Sequence, residues 1–186
     1  MIRIRAAASA DANQIAAIYA PYVAASAVSF ETAPPTAQIM RGRMAKAGDR
    51  YPWLVATTED SDVVLGYAYA TSFRDRPAYH WTVETSIYVA GDLQRQGVGR
   101  LLYSALIGTL RAQDFVQAVA VLAMPNDQSI TLHESLGFRR AGMFREVGYK
   151  HGQWRDIGFW QLELADSPNP PAETKPFSAV GVVGPF

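Results

Sequence analysis

The segment Gln94-Arg95-Gln96-Gly97-Val98-Gly99 lies between an apolar stretch that predicts a strand ending at Val89 and a helical pattern that begins at Gly99. Backbone N–H groups that no Cβ obscures can wrap a phosphate, and the positive end of the following helix adds to the attraction. A glycine turn without a ligand is the alternative interpretation, and an isolated Gly-x-Gly would favour it. The preceding strand, the basic lead-in and the long amphipathic helix together favour an anion site.

Two common phosphate motifs are excluded by the residues after Gly99. A P-loop requires Lys and then Ser or Thr after its last glycine, where Arg100 and Leu101 stand. A dinucleotide fingerprint requires a third glycine where Leu102 stands, and an acidic residue after the next strand, where Met124 stands. The remaining pattern, Arg/Gln-x-x-Gly-x-Gly/Ala, resembles the loop that binds the pyrophosphate of coenzyme A.

Hydrophobic periodicity around this motif predicts an α/β fold with a mixed sheet. Strands are expected near 2–5, 53–57, 63–70, 83–89, 119–123, 142–147 and 158–164. Helices are expected after Ser9 and near 39–45, 99–113 and 128–136; Ser9 can cap the first of them, and Pro21 should kink or end it. This order is not a regular βαβ repeat. Residues 1–164 are predicted to form one domain. Residues 165–186 are rich in proline and are predicted to form a mobile C-terminal tail.

Composition narrows the possible partners. The 186 residues include no cysteine, which excludes disulfides, thiolate metal ligands and a cysteine nucleophile. Lys+Arg and Asp+Glu both number 17, so charge gives no reason to expect nucleic acid or an anionic membrane. There is no signal-like or membrane-length apolar run, and His80, His133 and His151 lack zinc-like spacing. We therefore expect a cytoplasmic protein without a metal.

A second motif follows at a fixed distance and consists of Asn126, Ser129, His133, Gly137 and Phe138. With both motifs in this order, the chain resembles the GNAT superfamily of N-acetyltransferases. It is most similar to the phosphinothricin and methionine sulfoximine (methionine sulfone) acetyltransferases. The segments that carry this likeness are IYAPYVAASAVSFE, WTVETSIYV, PNDQSITLHESLGF and FREVGYKHGQWRDIGFWQLEL, and it covers Ile2 to about Leu164.

The resemblance implies a GNAT fold, in which helices flank a splayed central sheet. It also implies acetyl-CoA as co-substrate and a homodimer, for which the aromatic stretch from Trp154 to Trp160 is a candidate contact. The implied reaction is direct transfer of acetyl to the α-amine of a small amino-acid analogue. A reaction without a covalent intermediate also fits a chain without cysteine.

Two residues are candidate catalytic groups. Glu84 stands mid-strand between apolar neighbours, where partial desolvation raises a carboxyl pKa toward that of a useful general base. Exposure on the solvent face of the strand is the alternative interpretation. His133 occupies the position of the general-acid tyrosine found in most of the superfamily, and the narrower family carries histidine there. It is a candidate proton donor, and a purely packing role remains open.

The resemblance also assigns binding residues. The backbone of Ile87, Tyr88 and Val89 is expected to meet the pantetheine arm, with one N–H facing the thioester oxygen. The remaining candidates for contact with the cofactor are Arg95, Gln96, Gly97, Val98, Gly99, Arg100, Asn126 and Ser135. A structural role remains open for Asn126, which could instead cap a helix or form part of a turn.

The proline-stiffened loop Phe73-Arg74-Asp75-Arg76-Pro77 is the candidate substrate clamp, because two arginines can bind a carboxylate in bidentate fashion. The candidate substrate-binding residues are Arg74, Asp75, Arg76, Glu84, Thr85 and Ser86, with Phe30, Glu31 and Tyr79 at the opening. Two other functions remain open. One is a GNAT enzyme that acts on protein N-termini or other amines, and the other is an acyl-CoA-binding module without turnover.

Overall fold

The computed structural model describes residues 1–184, and of Asp92 it describes the backbone alone. The strands are β1 (Ile2–Ala6), β2 (Trp53–Thr58), β3 (Ser61–Ser72), β4 (Thr82–Val89), β5 (Gln117–Ala123), β6 (Arg139–Lys150) and β7 (Gln153–Glu163). The helices are α1 (Ala12–Ala24), α2 (Ala37–Ala47), α3 (Val98–Ala112), α4 (Asp127–Ser135) and α5 (Phe177–Val180). Short 3₁₀ turns lie at Ser9–Asp11, Pro77–Tyr79 and Gly91–Leu93.

The strands form one sheet in the order β1-β2-β3-β4-β5-β7-β6. Among the strands of residues 1–184, β4 and β5 are the one pair of parallel neighbours, and the other neighbouring pairs are antiparallel. Parallel neighbours require a crossover connection, which α3 supplies. The prediction of a mixed α/β sheet is confirmed, although β6 and β7 are longer than the sequence pattern indicated.

The parallel pair separates after a few residues. Its ladder runs from Thr82 opposite Gln117 to Glu84 opposite Val119, although β4 continues to Val89. Beyond Glu84, the facing edges of β4 and β5 are therefore not paired with each other. The central sheet is splayed at this point, as the resemblance implies.

Backbone alternation identifies the groups that face this gap. The N–H of Ala90 donates to the carbonyl of Leu65 on β3 at 2.9 Å, so even-numbered residues of β4 bond to β3 and odd-numbered residues face β5. The amides of Ile87 and Val89 therefore point toward the gap. By the same alternation, the backbone of Val121 faces it from β5.

The two faces of the sheet carry separate cores. Helix α3 covers one face with an apolar stripe that includes Leu102, Leu106 and Leu110, and α1 and α2 cover the other. Side chains on β4 alternate between these faces because successive residues of a strand point in opposite directions. Val83 is part of the α3 core, whereas Tyr88 packs against the α1 core.

The start of α1 differs from the prediction that Ser9 caps it. Ser9 lies in a 3₁₀ turn, and the Asp11 carboxylate accepts the backbone N–H of Ala8 at 2.7 Å. The same carboxylate makes a bidentate pair with Arg5 at 2.7 and 2.8 Å. The buried aspartate thus organises the turn that the sequence assigned to serine. Pro21 does not end α1, which continues to Ala24.

Part of the segment predicted to form a mobile tail, from Ala172 to Val183, contacts the domain, and residues 185–186 lie outside the described part. The indole N–H of Trp81 donates to the carbonyl of Ala172 at 2.7 Å, and Lys175 pairs with Asp114 at 2.8 Å. Phe177 packs against the α3 core. These contacts bind the segment to the domain, and its mobility in solution stays a prediction.

No helix within residues 1–184 is both long enough and apolar enough to cross a membrane. Among the side chains described in that range, no three or more His, Cys, Asp or Glu are placed together to bind a metal ion.

Candidate active site

The predicted phosphate loop opens directly onto the start of α3. Gly97 is the N-cap residue, with a left-handed φ of 83° and no side-chain cap. The first bond into the helix runs from the N–H of Leu101 to the carbonyl of Gly97 at 3.1 Å. The N–H groups of Val98, Gly99 and Arg100 come before it and have no intrahelical acceptor. This geometry suits an anion, as the sequence predicts.

Contacts on both sides fix the loop in place. Gln94 donates to the Tyr22 hydroxyl at 3.0 Å, and that hydroxyl donates to the carbonyl of Val89 at 2.6 Å. Arg100 donates to the Ser135 hydroxyl of α4 at 3.3 Å. The loop, the end of β4 and the end of α4 are therefore held close together.

A cleft of about 40 Å³ lies where β4 and β5 part. Its lining residues are Val28, Thr85, Ser86, Ile87, Tyr88, Val121, Leu122, Asn126, Ser129 and His133. One water needs roughly 10–15 Å³, so the cleft has room for a group of acetyl size but not for a whole amino acid. It brings together predicted residues from all three groups: substrate-binding, cofactor-binding and catalytic.

Glu84 lies half-buried on the α1 face of β4, two residues before Ser86 on the same face. Burial raises the pKa of its carboxyl above the ordinary value of 4.5, and the positive charge of Arg74 partly opposes this rise. A carboxylate with a raised pKa beside a cleft is a candidate proton acceptor.

The loop of Arg74, Asp75 and Arg76 is exposed. The Arg74 guanidinium lies 4.3 Å from the centre of the Phe73 ring and donates to the Phe73 carbonyl at 2.8 Å. Its charge reaches Glu84, as the pKa effect indicates. Arg76 caps the following 3₁₀ turn, where its carbonyl accepts the N–H of Tyr79 at 3.0 Å. Of the two arginines, Arg74 is thus the one linked electrostatically to Glu84.

A buried polar network lies on the opposite, α3 face of β4. The hydroxyls of Thr85 and Tyr103 are 2.7 Å apart, and the Tyr103 hydroxyl is 3.0 Å from Nε2 of His133. Nδ1 of His133 lies 2.7 Å from the carbonyl of Ser129. The Thr85 hydroxyl, predicted to contact substrate, is therefore engaged on the face away from Glu84.

This network determines the protonation of His133. A carbonyl only accepts hydrogen bonds, so Nδ1 carries the proton and donates it to Ser129. Burial lowers the pKa of the imidazole below 6.5, which favours the neutral ring and leaves Nε2 to accept from Tyr103. In this state the single ring proton is already engaged, so the proton-donor role and the packing role of His133 both stay predictions.

Asn126 has the capping role that the sequence gave as its alternative. It is the N-cap of α4, and its side-chain oxygen accepts the N–H of Ser129 at 3.3 Å. The side chain still lines the cleft, so a cofactor contact stays a prediction.

Several residues near the cleft were missed by the sequence analysis. Tyr103 lies in the apolar stripe of α3, where its hydroxyl gives no periodic signal. Arg43 makes a bidentate pair with Glu31 at 2.8 and 2.9 Å, and Tyr19 donates to the same carboxylate at 2.9 Å. Each of these partners is 12 positions away from Glu31 in the sequence, so local motifs did not reveal the cluster.

A larger cavity of about 340 Å³ lies elsewhere, along β6 and β7. Its lining residues are Gly137, Arg139, Arg140, Ala141, Gln161, Leu162 and Glu163. It contains none of the predicted catalytic or binding residues, so size alone does not identify the active site.

Comparison with known proteins identifies the family. Residues 4–158 match the acetyltransferase (GNAT) domain. The chain is 43% identical over 179 residues to a phosphinothricin N-acetyltransferase of Streptomyces viridochromogenes, covering 96% of each chain. It is 40% identical to an L-methionine sulfoximine/L-methionine sulfone acetyltransferase of Pseudomonas paraeruginosa, covering 87% of this chain and 94% of the relative.

A solved structure agrees with these relatives. The phosphinothricin acetyltransferase of Sinorhizobium meliloti in complex with AcCoA superposes with a TM-score of 0.85 at 37% identity, covering 96% of this chain and 95% of that one. The family resemblance and the GNAT fold drawn from the two motifs are confirmed. The chain belongs to the acetyltransferase (GNAT) family and is an acetyltransferase.

Proposed function

We propose that this protein transfers the acetyl group of acetyl-CoA to the α-amine of a small amino-acid analogue of the phosphinothricin or methionine sulfoximine type. The names of its relatives support this substrate class. The observation that carries the proposal is the cleft between β4 and β5, with the half-buried Glu84 beside it and the open start of α3 close by.

Acetyl-CoA fits the gap in two respects. Its pyrophosphate suits the N–H groups that begin α3, because that helix end attracts anions and has no side-chain cap. Its pantetheine arm suits the unpaired edge of β4, where the Ile87 and Val89 amides can bond to an extended ligand as a strand would. One of these amides would donate to the thioester oxygen as negative charge develops there.

The chemistry follows from the position of Glu84. Its carboxylate takes a proton from the substrate ammonium, through a water, and frees the nitrogen lone pair. The nitrogen attacks the thioester carbonyl, a C–N bond forms and the C–S bond breaks. The sulfur leaves as thiolate and accepts a proton, so that the products are the acetamide and free CoA.

The leaving thiolate requires a proton. His133 stays a candidate, but as a neutral ring its one proton must first leave the Ser129 carbonyl. Burial raises the pKa of the Tyr103 hydroxyl that lies against Nε2, so this hydroxyl does not replace the proton. The proton balance closes with the proton that Glu84 took from the ammonium, which returns to the thiolate through water, either directly or by way of His133.

Substrate selection is assigned to the exposed loop after β3. Arg74 is the candidate for the substrate carboxylate because its charge already reaches Glu84, where the α-amine must lie. Arg76 and Asp75 extend the same loop, and the Ser86 hydroxyl on the Glu84 face offers a further contact. An α-amino acid carries its amine and carboxylate on one carbon, which fits neighbouring basic and acidic groups.

A homodimer is part of the proposal, with the β6–β7 hairpin as its contact. Several large apolar side chains are exposed there: Phe144, Val147, Tyr149 and Trp154, at 50–62% of their surface. Trp160, at the other end of the aromatic stretch, is buried and bonds to Glu134, so it is unavailable. Sedimentation of the wild type and of Trp154→Ser tests this surface, and a monomeric wild type would contradict it.

The test of the function is a panel of amines in a thiol-release assay with acetyl-CoA, with each product identified by mass spectrometry. The panel contains phosphinothricin, methionine sulfone, methionine sulfoximine and a peptide with a free N-terminus. We expect the amino-acid analogues to have the highest kcat/KM. Preference for the peptide would support the alternative of a protein N-terminal acetyltransferase, and binding of acetyl-CoA without turnover would support the non-catalytic module.

A further inference from the structure

The segment from 25 to 31, here called the wall segment, leads from α1 toward α2 and forms one side of the cleft. Val28 lines the cleft directly, opposite residues of β5 and α4. Ser29 is buried, and its hydroxyl lies 2.6 Å from the Tyr19 hydroxyl. What holds the wall segment therefore determines whether that side of the cleft is closed.

Lys150, the last residue of β6, bonds both to the end of α1 and to this segment. Its Nζ donates to the carbonyl of Val23 at 2.6 Å and to the carbonyl of Ser29 at 2.6 Å. Val23 lies in the last turn of α1, where carbonyls have no intrahelical donor and a positive charge is favoured. The lysine thus caps α1 and fixes the wall segment with one ammonium group.

A glycine two residues earlier adds a steric fit. A Cβ at Gly148 would lie 2.0 Å from Cε2 of Phe30, so the Phe30 ring rests directly on the Gly148 backbone. The exposed His151 lies 3.3 Å from the carbonyl of Ser26. Three residues of the hairpin therefore contact three successive parts of the wall segment.

These contacts cross the open part of the sheet. The hairpin of β6 and β7 belongs to the half that pairs with β5. Helix α1 packs on β3 and β4 in the other half. Because the β4–β5 ladder stops at Glu84, the bonds of Lys150 tie together two halves that the sheet itself has ceased to join.

If this position served packing alone, a buried lysine would cost more free energy than an apolar side chain. Only 6% of Lys150 is exposed, and removing an ammonium from water carries a desolvation penalty that a methionine of similar length would avoid. Two short charge-assisted hydrogen bonds offset that penalty and define one position of the wall segment. An apolar replacement would fill the space but would not hold the carbonyls of Val23 and Ser29.

We propose that Lys150 is a positioning residue. Its two hydrogen bonds to Val23 and Ser29, here called the clasp, keep the wall segment closed over the acetyl-transfer cleft, so that the thioester reacts with the amine and not with water. The inference rests on the proposed function in placing the thioester in this cleft. Without the clasp, water attacks the thioester carbonyl, the C–S bond breaks, and acetate and free CoA form. One water supplies both the acetate oxygen and the thiol proton.

Two measurements on three variants test this proposal. Lys150→Met removes the ammonium group, and Gly148→Ala displaces Phe30. Lys46→Met is the control, because it removes an exposed lysine at the end of α2. The first is hydrogen–deuterium exchange of the wall segment in the protein without ligand. The second is the number of acetylated amines formed per thiol released.

In the wild type and in Lys46→Met we expect about one acetylated amine per thiol, because the closed cleft excludes water. In Lys150→Met we expect the wall segment to exchange at least about tenfold faster and thiol release to exceed amine acetylation. The proposal would be overturned if the wall segment of Lys150→Met exchanged at the wild-type rate and the variant still formed about one acetylated amine per thiol released. If that variant does not fold, the same two results in Gly148→Ala decide the matter.

The outcomes separate this inference from the proposed function. If the wild type releases no thiol in response to amines, the proposed function fails, while the exchange experiment still reports on the clasp. If the wild type is active but neither Lys150→Met nor Gly148→Ala loosens the wall segment, the clasp alone is wrong.

Discussion

Replacement of Glu84 by glutamine tests the proposed general base, because it retains the shape of the side chain and removes the proton acceptor. General-base catalysis contributes roughly 10²–10⁴-fold to a rate. Arg74 opposes the rise in the pKa of Glu84, which limits the basicity of the carboxylate and argues for the lower end. We therefore expect kcat to fall about a hundredfold, or about 2.7 kcal/mol in activation free energy.

The assay is thiol release with saturating acetyl-CoA and amine, from about pH 5 to about pH 9. A base works only when ionised, and burial raises the pKa of Glu84 above 4.5, so wild-type kcat should rise with pH through a value above 4.5. The glutamine variant should lack this limb. Glu59→Gln, in an exposed turn, is the matched control. A Glu84→Gln enzyme with more than half the wild-type kcat at neutral pH would refute the assignment.

Three further predictions concern binding and stability. Gly97→Val places a side chain where φ is 83° and where the pyrophosphate would approach the backbone. Calorimetry should show the Kd of acetyl-CoA raised at least about tenfold, or about 1.4 kcal/mol. Unchanged affinity in a folded variant would contradict the assignment of this loop to the pyrophosphate. Asp11→Asn breaks the buried pair with Arg5 and should lower the free energy of unfolding by about 1–3 kcal/mol in urea at neutral pH. Because Arg5 lowers the pKa of Asp11 below 3.8, that deficit should shrink as the pH falls below this value, and a constant deficit would contradict the pairing. Tyr103→Phe leaves Nε2 of His133 without its donor and leaves the Thr85 hydroxyl only its longer bond, 3.4 Å, to the carbonyl of Val119. It should therefore cost about 1–3 kcal/mol of stability, whereas a neutral effect would argue against the network.

Local patterns predicted most of the fold. The alternation of a strand puts Glu84, Ser86 and Tyr88 on one face of β4, and the structure has Tyr88 on the α1 side while Thr85 bonds to Tyr103 on the α3 side. The positive φ of Gly97 and the helix that follows it at Val98 were likewise visible as glycine punctuation before an amphipathic repeat. Hydrophobic periodicity and the conformational freedom of glycine act over a few neighbouring residues, so both can be recognised in the sequence before the fold is known.

Contacts between distant residues could not be predicted in this way. The proline-rich tail gave a compositional signal for mobility, yet Ala172 and Lys175 bond to residues more than 60 positions earlier. The clasp joins Lys150 to carbonyls 127 and 121 residues away, and a lysine at the end of a strand predicts nothing about such partners. Serine is a common N-cap residue, which favoured Ser9, but the nearby Asp11 carboxylate accepts the N–H of Ala8 and also pairs with Arg5.

The central claim is that the substrate is an amino-acid-like amine whose carboxylate is bound close to the proposed base. The most direct test compares kcat/KM for methionine sulfone and for its carboxamide, which keeps the amine and removes the negative charge. Loss of a charge-assisted bond costs about 1.5–3 kcal/mol, so we expect kcat/KM to fall by one to two powers of ten. In Arg74→Ala the acid and the amide should differ little, because both changes remove the same contact. Equal kcat/KM for acid and amide in the wild type, or the same discrimination in Arg74→Ala, would contradict the account.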